Sequence, residues 1–182
     1  MRVAGAGRLA MVAAVLVLLG SGCTPDPGPQ PTPSPVAPTP TENAQEREQR
    51  LAYEAAEKSY RTYRAELQRV LRAGGATTPT ELMRKTAGGQ YLEETSAVAE
   101  AYKGLGHRDA GSERIVYVRR SGYSSSSLVL SVCEDSRQVT TLDQQGHKLY
   151  RGELRTAELT VEKKSTEWKV WAGTGKEVAV CD

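Results

Sequence analysis

A chain of 182 residues, 38% hydrophobic and 25% charged, is long enough for one domain of ordinary size with a core of its own. Its formal charge is +2, from 24 basic and 22 acidic residues, and Arg2 and Arg8 near its start supply that excess. From Cys23 onward the chain is neutral, which argues against nucleic acid as a partner and offers no polybasic patch for a membrane surface. Phenylalanine is absent, so Tyr, Trp, Leu and Val must fill the core.

Residues 1–8 carry two arginines and no acid, and residues 9–19 are an unbroken apolar run. A membrane-spanning helix needs about 20 apolar residues; this run has the length of a signal-peptide apolar region. There is no twin-arginine pair, so general secretion is the expected route. The run closes on LVLLGSGC, from Leu16 to Cys23, which resembles a bacterial lipoprotein signal peptide. Ser21 and Gly22 fit that pattern. The leucine usual three residues before the cysteine is displaced to Leu19, with Gly20 in its place. The resemblance implies that residues 1–22 are removed and that Cys23 is lipidated, palmitate being one of its acyl chains. It places the protein on the extracytoplasmic face of the cell membrane. Each buried CH₂ of such chains contributes about 0.8 kcal/mol, and two chains give stable anchoring.

Residues 24–41 hold eight of the nine prolines. Proline fixes φ and removes a donor, so the stretch predicts neither helix nor strand. With Cys23 it forms a linker over 23–41, a polyproline II spacer whose eighteen residues would span roughly 50 Å. One folded domain is then expected over 42–182.

That domain opens with a predicted helix over 42–72. Tyr53, Ala56, Tyr60, Tyr63, Leu67 and Val70 recur at alternating spacings of three and four and make one stripe. Glu46 with Arg50, Glu54 with Lys58 and Glu57 with Arg61 are expected i, i+4 pairs. Gly74 and Gly75 end the helix. Thr78-Pro79-Thr80-Glu81 reads as a capping box opening a short helix over 79–86 with Pro79 in its first turn. After Gly88 and Gly89 a third helix is predicted over 90–103, with Tyr91, Thr95, Val98, Tyr102 and Leu105 on its inner stripe. Residues 104–111 read as a glycine-rich loop.

The period then changes to two. Strands are predicted over 113–120, 127–134, 138–143, 157–163, 167–172 and 177–181, with turns at 121–126, 144–146 and 164–166. Leu128, Leu130 and Val132 share one face of the second strand. Trp168 and Val170 share a face of the fifth, with Trp171 opposite. Tight turns between short strands predict an antiparallel sheet, and helices followed by strands predict an α+β domain.

One long helix, two shorter ones and a sheet ending in Trp168-Lys169-Val170-Trp171 resemble the nuclear transport factor 2-like superfamily, SnoaL-like polyketide cyclases included. The resemblance covers about residues 44–182 and rests on element order rather than on a diagnostic motif. It implies a cone: a curved antiparallel sheet wrapped round the long helix, with a pocket at the open end. Members on a lipoprotein tether are more often binding or assembly modules than enzymes.

Cys133 and Cys181 fall in the exported part, where disulfides persist, and are expected to pair. A metal site would need more ligands, and His107 and His147 lack ligand spacing. No cofactor motif is present. Tyr53, Tyr60, Tyr63, Tyr91 and Tyr102 are the candidate pocket lining, although tyrosines at helical spacing are more often core residues with satisfied hydroxyls. His107 and Asp109 match the acid–base pair of the cyclases in type only; adjacent in a polar loop, they are expected to diverge into solvent, and His147 to be exposed. No catalytic set emerges. The expected activity is that of a non-enzymatic binding module, its partner an envelope protein or a small apolar ligand. The rivals are a cyclase- or isomerase-like enzyme and a structural or immunity-type lipoprotein.

Overall fold

The computed structural model describes residues 42–182; the expected signal peptide, Cys23 and the proline-rich segment lie outside the described residues. No described helix is long and apolar enough to cross a membrane.

Helix α1, Ala44–Arg72, opens on a capping box. The Asn43 side chain accepts the Glu46 N–H at 2.9 Å and the Glu46 carboxylate accepts the Asn43 N–H at 2.9 Å. Glu46 is therefore engaged at the cap and does not pair with Arg50 as expected. Arg50 bonds Glu42 at 2.8 Å and Glu54 at 2.9 Å instead, while the expected Glu57–Arg61 pair forms at 2.8 Å. All six stripe residues are buried, joined by Ala52 and Glu66.

Glu66 is a buried carboxylate with three donors: Arg69 through Nε and Nη2, both at 2.7 Å, and the Thr80 hydroxyl at 2.8 Å. Thr80 in turn accepts the Met83 N–H at 3.2 Å and caps α2, Glu81–Thr86. One hydroxyl thus starts the second helix and fastens it to the first. Pro79 precedes the cap rather than occupying the first turn, a correction of register. Between the two helices Gly75 adopts φ +81°, and a Cβ there would lie 2.2 Å from the Ala99 carbonyl oxygen. Only glycine lets the chain cross so closely over α3, Gly89–Leu105, where Ala76 donates to that carbonyl at 3.0 Å.

The crossing sets which face of α3 is inside. Ala99 is its one fully buried residue, with Tyr91 and Leu92 packed on the core. Val98 and Leu105, expected on the inner stripe, are 47% and 59% exposed.

The main sheet has the order β2-β3-β6-β7, antiparallel throughout: β2 Arg114–Tyr123, β3 Ser127–Asp135, β6 Leu154–Lys164 and β7 Glu167–Glu177. Leu128, Leu130 and Val132 of β3, Leu159 and Val161 of β6 and Trp168 and Val170 of β7 join the α1 stripe in one core, which makes the α+β architecture expected from the order of elements. Fully burying each such side chain contributes roughly 1.5–3 kcal/mol. Register shifts bend the sheet at Val116 and Ser121 in β2 and at Trp171 in β7. The Trp171 ring lies on Gly88 and Gly89, where a Cβ would fall 2.4 and 2.6 Å from ring atoms, and it carries the Lys164 ammonium 3.9 Å from its centroid.

Three expectations change here. The loop predicted over 104–111 contains the end of α3, a left-handed Gly106 and a strand, β1 Arg108–Ala110. The turn predicted over 121–126 shortens, because β2 continues through Tyr123. β7 also continues to Glu177, so residues 177–181 are not a further strand. A second sheet, order β1-β4-β5, adds β4 Thr140–Leu142 and β5 Lys148–Arg151. β5 was not anticipated.

Cys133 and Cys181 form a disulfide with Cα atoms 6.1 Å apart, which pins the C-terminal segment to a central strand. Closing 48 residues in the unfolded chain corresponds to about 4 kcal/mol. The double variant Cys133→Ala/Cys181→Ala should lose about that much stability in urea unfolding, and reductant should destabilise the natural protein but not the variant. Thiol labelling of both cysteines in unreduced, denatured protein would contradict the bond.

Candidate functional site

The face of β3 that carries Leu128, Leu130 and Val132 continues, two residues on, to Glu134. Its carboxylate therefore points toward α1, where Tyr60 donates its hydroxyl to Oε1 at 2.5 Å. Four residues along the helix from Tyr60 is Arg64. Its Nε lies 3.2 Å from the same Glu134 oxygen and donates to Glu113 Oε1 at 3.0 Å. Arg64 Nη2 donates to Glu113 Oε2, which also accepts the Ser136 hydroxyl at 3.0 Å. The Arg64, Glu113 and Glu134 side chains are only 16%, 5% and 14% exposed. Among the described residues, this cluster of one guanidinium and two carboxylates is the main concentration of charge inside the fold.

Its electrostatics favour the forms shown. Burial works against the Arg64 charge, yet the carboxylates of Glu134 and Glu113 more than offset it, and the guanidinium is held charged well above its ordinary range. Burial pushes the Tyr60 hydroxyl far up, and the Glu134 carboxylate pushes it further. Tyr91 is pushed up to about 12, first by burial. Tyr60 therefore acts as a permanent donor, not as an acid at neutral pH.

The other candidate tyrosines are similarly placed. Tyr53 donates to the Gly122 carbonyl at 2.7 Å. Tyr63 bonds the Thr95 hydroxyl and packs on Tyr91 with centroids 5.3 Å apart. Tyr102 donates to Asp109 Oδ1 at 3.0 Å, beside Thr141, which gives the same oxygen a bond of 2.7 Å. Tyr60 and Tyr63 have no exposed surface. Tyr53, Tyr60 and Tyr63 are members of the buried core, and Tyr91 packs against it. Tyr53 borders a surface recess between the start of α1 and the end of β2.

Asp109 does not diverge into solvent as expected; β1 turns it toward Tyr102 and Thr141. His107 stands edge-on between Tyr102 and Tyr150, at 6.0 and 6.5 Å, with Nδ1 buried and unbonded. His147 is exposed and bonds Asp143 at 3.0 Å. Among the described residues no group of three His, Cys, Asp or Glu side chains is arranged to hold a metal.

Arg64, Glu113 and Glu134 are absent from the candidates read in the sequence. The readable signals were spacing: Glu134 extends the Leu128–Val132 alternation, and Arg64 stands one turn beyond Tyr60. Glu113 gave none, since it reads as the polar first residue of a predicted strand and finds Arg64 only through the fold.

The second candidate is on the surface. β5 is an edge strand, and Lys148, Leu149, Tyr150 and Arg151 are all exposed. With Arg137, Gln138 and Thr140 they line an open recess of about 480 Å³.

Arg64→Met leaves two carboxylates facing each other without a cation and should cost about 3–5 kcal/mol in chemical denaturation; adding Glu113→Gln should restore part of it. Tyrosines whose folded pKa is raised stabilise the fold fully below about pH 10 and lose that contribution as pH climbs through the folded value, about 12 for Tyr91. Absorbance at 295 nm should therefore show Tyr60 and Tyr91 silent at pH 11, and their ionisation should coincide with alkaline unfolding.

No protein-family model matches the chain, and no curated protein matches it. The chain is similar to the intermembrane-space region of the chloroplast protein ARC6, at 13% identity and TM-score 0.47, over 69% of this chain and 96% of that one. It is similar to a protein of the NTF2-like family from Streptomyces avermitilis, at 11% identity and TM-score 0.46, over 72% and 99%. It is also similar to Aln2 from another Streptomyces strain, at 13% identity and TM-score 0.41, over 69% and 89%.

Proposed function

We propose that this chain is an exported, lipid-anchored binding module that works at the outer face of the cytoplasmic membrane without chemistry of its own. The filled interior carries the reading. Tyr60 and Tyr63 are wholly buried and their hydroxyls are bonded within the fold, so the cone offers a small ligand no ready cavity there. The carboxylates nearest the interior are already engaged within the fold, Glu134 by Tyr60 and Arg64 and Asp109 by Tyr102 and Thr141, which speaks against a cyclase- or isomerase-like enzyme. Exposed features are the remaining means of action, and they suit recognition of another envelope protein. The address comes from the apolar run, Cys23 and the proline spacer.

Replacing Cys23 by Ser and fractionating cells tests the address. The natural protein should sediment with membranes and lack residues 1–22; the variant should retain its leader or appear in the soluble exported fraction. A variant that stays in membranes at mature size would refute lipidation. Crosslinking in intact cells should recover a specific envelope partner, and purified protein should carry no small molecule in native mass spectrometry. A retained ligand and no crosslinked partner would reverse the functional reading.

A further inference from the structure

The small sheet has two unlike faces, set by its register. Partners across antiparallel strands share a face. Asp109, Thr141 and Tyr150 make one row, turned toward Tyr102 and His107. Arg108, Leu142 and Lys148 make the next row on the opposite face, and Ala110, Thr140 and Arg151 the row after Tyr150 on that same opposite face. Leu149 is the extra residue of a bulge that keeps Lys148 and Tyr150 on different faces. The outer face therefore collects Arg108, Lys148 and Arg151, with Arg137 beside them in the recess.

Those charges are balanced only in part, Arg151 sharing an adjoining recess with Asp135, Glu153 and Glu177. Arg137 is held by Asp135 at 2.8 Å, and Asp143 is bonded to His147. Among the described residues Arg108, Lys148 and Arg151 have no carboxylate within 4.0 Å. In a chain that is neutral from Cys23 onward, the row of Arg108 and Lys148 is a local positive excess. It flanks an open strand edge, since β5 is bonded to β4 on one side only, and that edge displays Leu149 and Tyr150, 43% and 54% exposed. An unpaired edge offers backbone donors and acceptors to another extended chain.

We propose that β5 is the docking edge of the binding module, and that its partner is an acidic, extended peptide segment of an envelope protein, added as a fourth strand. Carboxylates of that segment meet Lys148 and Arg151 on the adjacent strand, while Arg108, two strands beyond β5, adds to the positive potential without contact. An apolar side chain on its other face meets Tyr150, whose ring is braced edge-on by His107, itself edge-on to Tyr102. The open backbone edge favours a peptide over an anionic lipid surface, which would use the charges and leave the edge unmatched. The proposal rests on the functional reading above.

The test uses the full-length mature chain in detergent and a fluorescein-labelled probe peptide of about ten residues that alternates Glu with Val and carries one Tyr. Anisotropy should report binding that Lys148→Glu weakens about tenfold with an unchanged melting temperature. Methylating alternate backbone nitrogens of the probe keeps its charge and should abolish binding. Amide resonances of residues 148–151 should shift on addition of the natural probe. Equal binding of the methylated probe, no effect of Lys148→Glu, or binding of phosphatidylglycerol vesicles but not of the probe would each overturn the docking edge. Crosslinked envelope partners that persist in cells bearing Lys148→Glu would overturn this edge and leave the binding-module reading intact; loss of all partners from the natural protein would sink that reading itself.

Discussion

Arg64 leaves the middle of α1 between Glu113, just before β2, and Glu134, near the end of β3. A buried guanidinium is tolerable only when carboxylates neutralise it and its donors are bonded, and the same holds for the carboxylates. The cluster therefore fixes more than a pair of side chains. It sets the rotation of α1, because Tyr60, one turn before Arg64, must reach Glu134 for the ion cluster to close. It also sets the position of α1 along the sheet, because slipping by a turn, about 5.4 Å, would move Arg64 from Glu134 toward the buried Val132. Apolar packing of Tyr63, Leu67 and Val70 supplies area; the charged cluster supplies register.

Small residues decide the rest of the arrangement at points where backbones or rings press together. Gly75 brings the end of α1 onto the α3 backbone. Gly88 and Gly89 receive the Trp171 ring, and the same short stretch adds Ala87 beside Val170 as a parallel bridge on β7. One edge of the main sheet is thereby covered. The other edge, β2, is bent by two bulges, a common protection against pairing with foreign strands. β5 has a bulge and two cations as its own protection, which sets chemical terms for any strand that would join it.

The long helix and the main sheet were legible in the sequence because both faces announce themselves by period. Tyr53 through Val70 alternate at three and four, and Leu128 through Val132 at two. Misreadings arose where tertiary contact overrides period. Val98 and Leu105 keep a helical spacing yet face out, because Gly75 aligns Ala99, not Val98, with the core. β1 hid in a glycine-rich stretch, and its single inward polar residue, Asp109, is satisfied by Tyr102 and Thr141 from distant elements. β5 is two cations around Leu-Tyr with a bulge inside it, so alternation never develops. The candidate tyrosines were identifiable as a group from helical spacing. That Tyr60 ends on a carboxylate was not, since Glu134 reads as the polar end of a strand until Arg64 is brought to it.

The disulfide closes a covalent ring through β3, β4, β5, β6, β7 and the chain terminus. Both turns that flank β5 lie within that ring. In the exported setting proposed above, where proteases act on surface loops, a single cut in either of those turns cannot release a fragment: both pieces stay joined through sulfur and remain registered by the β3–β6 ladder. The strand most open to encounter is thus carried on a segment that can be nicked without being shed.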